Sequence, residues 1–174
     1  MNGDFAHRLN IDHIRDGDRL DLVANDAERQ SIADRLGLES LGRLDAHVTL
    51  SRKGTTIEAQ GRVLASLEQA CVVTGDLVPA HVDEPFDILF LPEPEHARSD
   101  EEVELGAADC DVAFHDGKSI DLGTAIADTL ALALDPYPRS AGAQAALKEA
   151  GVINEEQAGP FAALAALKGS RDKS

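Results

Sequence analysis

Cys71 is the residue of this sequence best suited to chemistry. It stands at the first position of a Cys-x-x-Cys spacing, which supplies two of the four ligands in many metal sites. Two valines follow it, and Thr74 stands where a Cys-x-x-Cys pair carries its second thiol. Structural zinc needs four thiolate or imidazole ligands, and a threonine hydroxyl is a poor substitute. We therefore expect a structural thiol beneath a tight turn that contains Gly75. Cys71→Ala should then be milder than Cys71→Ser, because a buried serine hydroxyl would lack an assured partner.

A second group of reactive residue types surrounds Cys110. Residues 109–116 place three aspartates and His115 beside this cysteine, within a segment so acidic that such a cluster is expected by chance. A Cys–His nucleophile pair needs an orienting third group, and the spacing offers none. A metal site that joins Cys71 to Cys110 and histidines after folding is the alternative. Without a Gly-x-Ser-x-Gly elbow or a phosphate-binding loop, the sequence predicts neither an enzyme nor a cofactor.

The charge of the chain is strongly negative and unevenly distributed. The net charge is −16, and residues 63–174 carry 21 acidic and 7 basic residues. Such a surface repels nucleic acid and membranes and attracts basic partners, although acidity that only confers solubility is the alternative. No apolar run has membrane-spanning length, and the first residues lack the layout of a signal peptide. Two cysteines do not form a disulfide framework, so we expect a reducing, cytoplasmic location.

Alternating apolar and polar residues predict an antiparallel hairpin followed by a third strand. One apolar face of the hairpin, before and after a turn at Gly54, consists of Leu44, Ala46, Val48, Leu50, Ile57, Ala59, Gly61, Val63, Ala65 and Leu67. The third strand places Val82, Phe86, Ile88 and Phe90 on one face. Because Pro85 lacks an N–H group, this strand should be an edge or contain a bulge there.

Helices are predicted on both sides of these strands. Asn25 or Asp26 can cap a helix that ends at Gly37, and Asp121 can cap one that ends before Pro136. The apolar stripe of the second helix should cover the sheet. Two shorter, alanine-rich helices are predicted over residues 141–151 and 154–170. Residues 93–116, with nine acidic residues and one arginine, read as a loop with at most a short strand at 103–105.

These elements predict an α+β fold with an antiparallel sheet and helices packed at one side. Closure of the sheet into a barrel-like form is left open. We expect one domain at residues 1–139, which includes the acidic loop at about 93–116. Residues 140–174 would form a helical C-terminal appendage.

Two blocks of sequence resemble the YceD family of bacterial and plastid proteins. The first is the Cys-x-x-Cys/Thr turn, here Cys71, Thr74 and Gly75, followed by an extended segment that ends in Phe86 and Phe90. The second is an Asp-Leu helix that ends in Leu-x-Leu-x-Pro. Its matching residues are Asp121, Leu122, Leu132, Leu134 and Pro136. The likeness covers roughly residues 57–139, and the threonine at position 74 is similar to the alphaproteobacterial branch.

The resemblance implies a role in the accumulation of 23S ribosomal RNA and in large-subunit biogenesis. Since many members have a second cysteine at the turn, Thr74 implies that a zinc or dithiol site is dispensable here. RNA binding depends on cationic side chains and aromatic stacking, which this chain largely lacks. We therefore expect a non-enzymatic factor that binds a basic ribosomal protein or a large-subunit precursor. The alternatives are direct RNA binding by a small basic patch near the hairpin turn and, less favoured, an RNA-processing hydrolase. That patch would consist of Arg43, Arg52, Lys53 and Arg62.

Overall fold

Strands of alternating apolar and polar residues form a five-stranded sheet at the centre of the protein. The computed structural model describes residues 5–93 and 110–152. Its strands are β1 Arg8–Asn10, β2 Asp18–Val23, β3 Ser40–Lys53, β4 Thr56–Ala70, β5 Leu77–Pro92, β6 Asp111–His115 and β7 Ser119–Asp121. The large sheet has the order β2-β3-β4-β5-β6, and β1 pairs with β7 in a separate two-stranded sheet. A short 3₁₀ helix covers Ile11–His13.

The hairpin is confirmed. Strands β3 and β4 pair antiparallel along almost their whole length, from Lys53 opposite Thr56 to Ser40 opposite Glu68. Apart from Gly61, every residue assigned to the apolar face is buried. Gly61 is required by close packing, since a Cβ there would lie 2.0 Å from the carbonyl oxygen of His47. Sequence reasoning missed β2, because its alternation is short and has only Leu20 and Leu22 as inward apolar residues.

The third predicted strand is β5, and its neighbour β6 departs from the sequence-based expectation. Val82, Phe86, Ile88 and Phe90 are all buried, as predicted. At Pro85 the strand pairs with β4 on one side, while β6 begins to pair only at Ile88 on the other. Strand β5 is therefore an edge at Pro85.

The end of the predicted acidic loop is a strand. Residues 111–115 form β6, which runs parallel to β5, so the sheet is mixed rather than wholly antiparallel. The prediction of a loop up to residue 116 is therefore wrong for these five residues, because aspartates at their ends mask a short alternation of Val112 and Phe114. The strand expected at 103–105 lies outside the described residues.

The helices follow the predicted caps. Helix α1, Asp26–Leu36, begins with a capping box between Asn25 and Glu28 and ends at Gly37 in the left-handed conformation. Helix α2, Leu122–Ala133, is capped by the side chain of Asp121. Helix α3, Ala143–Glu149, corresponds to the first predicted tail helix. The second, at 154–170, lies outside the described residues.

Helix α2 covers the inner face of the sheet. It contacts β4 and β5, and Leu122, Ile126 and Leu130 are fully buried in one core with the strand residues. The α+β class and this packing are confirmed. Within the described part of the chain the sheet is open, with β2 and β6 at its edges, so it is not a closed barrel. The boundary at residue 139 stays a prediction. No helix among the described residues is long and apolar enough to cross a membrane.

Candidate functional site

The turn after β4 is built around the backbone of Cys71. The N–H of Cys71 donates to the carbonyl oxygen of Asp76 at 2.7 Å, and its own carbonyl oxygen accepts from the N–H of Gly75 at 2.9 Å. Gly75 has a φ of 76°, a conformation that only glycine adopts at little cost. The turn thus connects β4 to β5 in the way that the residue types Thr-Gly-Asp predict.

The segment that follows α2 docks on this turn. The N–H of Val72 donates to the carbonyl oxygen of Pro138 at 2.9 Å. The side-chain amide of Gln69 donates to the backbone carbonyl oxygen of Asp135 at 3.0 Å. The N–H of Ser140 donates to the Cys71 sulfur at 3.2 Å. The turn of the first block therefore meets the segment that follows the second block, although Gln69 and Asp135 are 66 positions apart in the sequence.

Thr74 occupies the second-cysteine position as a hydrogen-bonding residue. Its hydroxyl donates to the Asp76 carboxylate at 2.6 Å and lies 3.1 Å from the Ser140 hydroxyl, which reaches the same carboxylate at 3.2 Å. The Thr74 hydroxyl also accepts from the backbone N–H of Asp76 at 3.3 Å. Three oxygen-bearing side chains therefore join the turn to the segment after α2, without a second sulfur.

The Cys71 thiol is buried and accepts two backbone hydrogen bonds. Only 3% of the residue is exposed, and the N–H of Thr74 donates to the sulfur at 3.5 Å in addition to that of Ser140. The Ser140 N–H, followed by the side chain of Thr74, lowers the pKa of the Cys71 thiol to about 6. A thiolate in this position suits structure better than catalysis, because buried sulfur is not accessible to a substrate.

The alternative metal site between the two cysteines does not assemble. Cys71 lies beside the first residues of β5, whereas Cys110 precedes β6, which begins opposite Ile88. At the rise of an extended strand this separates them by roughly 30 Å along β5. Among residues 5–93 and 110–152, no group of three or more His, Cys, Asp or Glu side chains is arranged to hold a metal ion.

His115 is engaged in structure rather than available as a base. It is 3% exposed, its Nε2 lies 2.7 Å from the carbonyl oxygen of Thr55, and its Nδ1 accepts from the N–H of Gly117 at 3.0 Å. These contacts fix the tautomer with a proton on Nε2. Asp116 accepts from the N–H groups of Ser119 and Lys118, which lower its pKa. His115 and Asp116 therefore secure the turn that connects β6 to β7.

The four basic residues proposed as an RNA patch are dispersed. Arg43 pairs with Asp45, and Arg62 pairs with Asp83 across β4 and β5. Arg52 donates to the carbonyl oxygens of Ile11 and Gly54. Arg43 and Arg52 are nine residues apart on β3, or about 30 Å. Lys53 is exposed next to Arg52, so only these two of the four lie together.

Apart from Leu132, which is 79% exposed, most of the remaining family-motif residues support the fold. Phe86 and Phe90 are buried in the core, and Leu122 is fully buried. The Asp121 side chain accepts from the N–H of Thr124 at 3.0 Å, which caps α2. Pro136 follows the end of the helix, in the segment that docks on the turn. These residues position the two blocks but contribute no reactive group.

Sequence reasoning missed a surface at the opposite end of β5. Val112 and Phe114 of β6 and Leu132 of α2 are 43%, 58% and 79% exposed. A groove of about 240 Å³ lies between β6 and α2. Its lining consists of Ile88, Asp111, Val112, Ala113, Ala125, Asp128, Thr129 and Leu132. The apolar alternation at 112 and 114 is the one signal that could have revealed it.

Comparison with known proteins agrees with the two motif blocks. A family model described as the large ribosomal RNA subunit accumulation protein YceD matches residues 59–168, which is more than half of the chain. No curated protein matches the chain, and no solved structure matches it. The matched region contains both blocks, the turn at Cys71 and helix α2 with the segment that follows it. This chain therefore belongs to the YceD family, whose name links it to accumulation of the large ribosomal RNA subunit.

Proposed function

We propose that this protein is a non-enzymatic factor in the biogenesis of the large ribosomal subunit, which acts in the cytoplasm by binding a basic ribosomal protein. Family membership supports the process, and the charge distribution supports the partner. Exposed carboxylates of the region beyond residue 62 include those of Asp83, Glu84, Asp111, Asp128 and Glu149. Opposite charge on a partner steers association and favours that partner over like-charged ones.

The observation that carries this proposal is that three of the four residues of the basic patch are already bound within the chain. Arg43 and Arg62 each contact a carboxylate of this protein, and Arg52 is bound by backbone carbonyls. RNA would have to replace these partners and would meet a strongly negative surface. Direct RNA binding by this patch is therefore the less favoured mechanism.

A catalytic role is disfavoured for a different reason. Two of the reactive groups that the sequence singled out, Cys71 and His115, are engaged in structural contacts. The Cys71 sulfur is buried under two N–H donors, and both ring nitrogens of His115 have partners. Neither residue presents a nucleophile or base to a substrate. These contacts support a binding protein rather than a precursor-RNA hydrolase.

Affinity purification of the tagged full-length protein from growing cells tests the proposal. We expect large-subunit proteins to copurify at low salt, to be lost as salt rises, and to remain bound after ribonuclease treatment. Loss on ribonuclease treatment would instead support an RNA-mediated contact. Recovery of no ribosomal component at low salt would contradict the proposed function.

The enzymatic alternative needs a separate assay. Purified protein is incubated with precursor ribosomal RNA in the presence of Mg²⁺, Mn²⁺ or Zn²⁺. We expect the RNA to stay intact under all three conditions. Cleavage that copurifies with the protein and disappears in a Cys71→Ala or His115→Ala variant of normal fold would overturn the non-enzymatic assignment.

A further inference from the structure

Strand β6 is an open edge of the large sheet. It is the last strand in the sheet order, and β5 is its one partner among the described residues. The outer side of such a strand presents backbone N–H and C=O groups that another extended chain can pair with. Recognition by addition of a strand uses this geometry, with backbone hydrogen bonds for affinity and side-chain pockets for specificity.

The side chains next to this edge are apolar and exposed. Val112 and Phe114 alternate along β6 with 43% and 58% of their surface exposed, and Leu132 of α2 is 79% exposed. At the other edge of the sheet, β2 carries charged residues, Arg19 and Asp21, and one exposed apolar residue, Val23. Exposed aromatic and aliphatic side chains beside an unpaired strand are typical of an interaction surface.

The groove beside β6 combines this apolar character with negative charge. Ala113, Ala125 and Leu132 line it together with the carboxylates of Asp111 and Asp128. Asp128 forms a long ion pair with Arg35, in which the two charged atoms are 3.8 Å apart, and its side chain is largely exposed. A groove of about 240 Å³ has room for one or two side chains of a ligand rather than for a cofactor.

We propose that β6 and this groove bind an extended, basic segment of a partner protein, which adds a strand to the edge of the sheet. The ligand's apolar side chains would contact Val112 and Phe114, and its cationic side chains would lie near Asp111 and Asp128. This assignment rests on the proposed function and identifies the surface through which the protein would bind its basic partner.

Charge complementarity selects this occupant over two others. A second copy of the chain would bring a net charge of −16 to a groove that already holds two carboxylates. The chain's own residues 93–109 carry seven acidic residues and one arginine, which makes them a poor match for the same groove. A cationic partner is attracted where both of these are repelled.

Binding of designed peptides to the full-length protein tests the proposal. The probe is a fluorescent peptide of alternating lysine and valine, long enough to span β6. Two controls replace its lysines by glutamates or its valines by serines. We expect the lysine–valine peptide to bind at least about tenfold more tightly than either control, with affinity that falls as salt rises.

Matched variants then locate the site. Val112→Ser with Phe114→Ser should weaken binding about tenfold or more, whereas Val23→Ser on the opposite edge should not. Asp111→Asn with Asp128→Asn should weaken binding and reduce its salt dependence. The control with the same change in net charge, Glu84→Gln with Glu149→Gln, should leave binding at moderate salt nearly unchanged. Hydrogen exchange of residues 111–115 should slow when the peptide is bound.

Several outcomes would overturn the proposal. Equal binding of all three peptides, or equal loss in the Val23 and Val112/Phe114 variants, excludes this surface. Dimers that dissociate in the Val112/Phe114 variant would assign the edge to a second copy. Strong protection, in the free protein, of those amides of residues 111–115 that do not pair with β5 would assign the edge to the chain itself. If the Val112/Phe114 variant still recovers ribosomal proteins from cells, the surface is wrong while the proposed function stands. If the wild type recovers none, the proposed function fails.

Discussion

The two ends of β5 have opposite characters. At its first residues, the Cys71 turn is joined to the segment after α2 by hydrogen bonds that involve Val72, Thr74, Asp76 and Ser140. At its last residues, β5 pairs with β6, whose outer edge has no partner strand within the described part of the chain and whose apolar side chains are exposed. One end uses its polar groups within the chain, while the other leaves backbone and apolar groups available.

The comparison shows that the residues by which the family is recognised from sequence differ from those that are exposed for binding. The motif at Cys71 and the residues around Pro136 identify the family, yet their atoms are occupied in holding two segments together. Of the surface at the other end, Leu132 belongs to a motif block, whereas Val112 and Phe114 belong to neither, yet together they have the features of a binding site. Recognition of the family from sequence therefore locates a structural junction and leaves most of the interaction surface to be found from the fold.

Gly61 tests whether the two ends belong to one cooperative unit, because it lies midway along β4 and opposite Phe86. In Gly61→Ala the new Cβ would lie 2.0 Å from the His47 carbonyl oxygen, so β3 must shift. We expect a loss of about 3 kcal/mol or more in the free energy of unfolding, at the upper end of overpacking effects. Gly42→Ala is the control, since its Cβ would be 3.6 Å from the nearest atom. It should change the value by less than about 1 kcal/mol.

Hydrogen exchange measured in increasing denaturant distinguishes one cooperative folding unit from two. In a single unit, Gly61→Ala lowers the protection of β6 and of the Cys71 turn by the same amount. Unequal loss at the two ends would show that they unfold separately.

Substitution of Cys71 tests the closed end of β5, which is the end at the Cys71 turn. The contacts of the sulfur reverse the order of stability of the alanine and serine variants that the sequence predicts. A packed thiol alone predicts that alanine is milder than serine. Because the N–H groups of Thr74 and Ser140 both donate to the sulfur, alanine leaves two donors unpaired while serine retains an acceptor. We expect Tm to fall by roughly 5–10 °C in Cys71→Ala and by less than half of that in Cys71→Ser.

Thermal unfolding of the two variants beside the wild type measures this order. Thr74→Ala is a useful comparison, since it removes the hydroxyl contacts to Asp76 and Ser140 without removing the sulfur. A Cys71→Ala protein more stable than Cys71→Ser would show that the sulfur acts as an apolar packing group and that its role as a hydrogen-bond acceptor adds nothing.

Much of the fold was predictable because its signals are local. Strand alternation in β3 and β4, the Asn25 cap and the Asp121 cap each depend on neighbours within a few residues. The pairing of β6 with β5 depends on contacts distant in sequence, and its aspartates suggested a loop. For the same reason the sequence could name Cys71 and Thr74 but not Ser140, whose N–H reaches the sulfur from a segment 69 residues away.

The lowered pKa of Cys71 predicts how the stability of the closed end depends on pH. The folded protein holds this pKa at about 6, against an ordinary value of 9.0, so folding favours the thiolate. The contribution of this group is fully present above pH 9 and is lost as the pH falls through 6. We expect the Tm difference between wild type and Cys71→Ser to grow between pH 6 and pH 9. Thiolate ultraviolet absorbance that appears in the folded wild type only near pH 9 would contradict this.

The smallest effect on stability is expected at the open end. Val112→Ser and Phe114→Ser should each change the free energy of unfolding by less than about 0.5 kcal/mol, because exposed side chains make few contacts that folding depends on. Leu91, which pairs with Phe114 in the sheet register, is only 6% exposed and provides the matched control. Leu91→Ala should cost about 2–5 kcal/mol. Chemical denaturation of the three variants gives the comparison directly. If Phe114→Ser costs as much as Leu91→Ala, Phe114 is a core residue in solution, and the open end of β5 is covered as fully as the closed one.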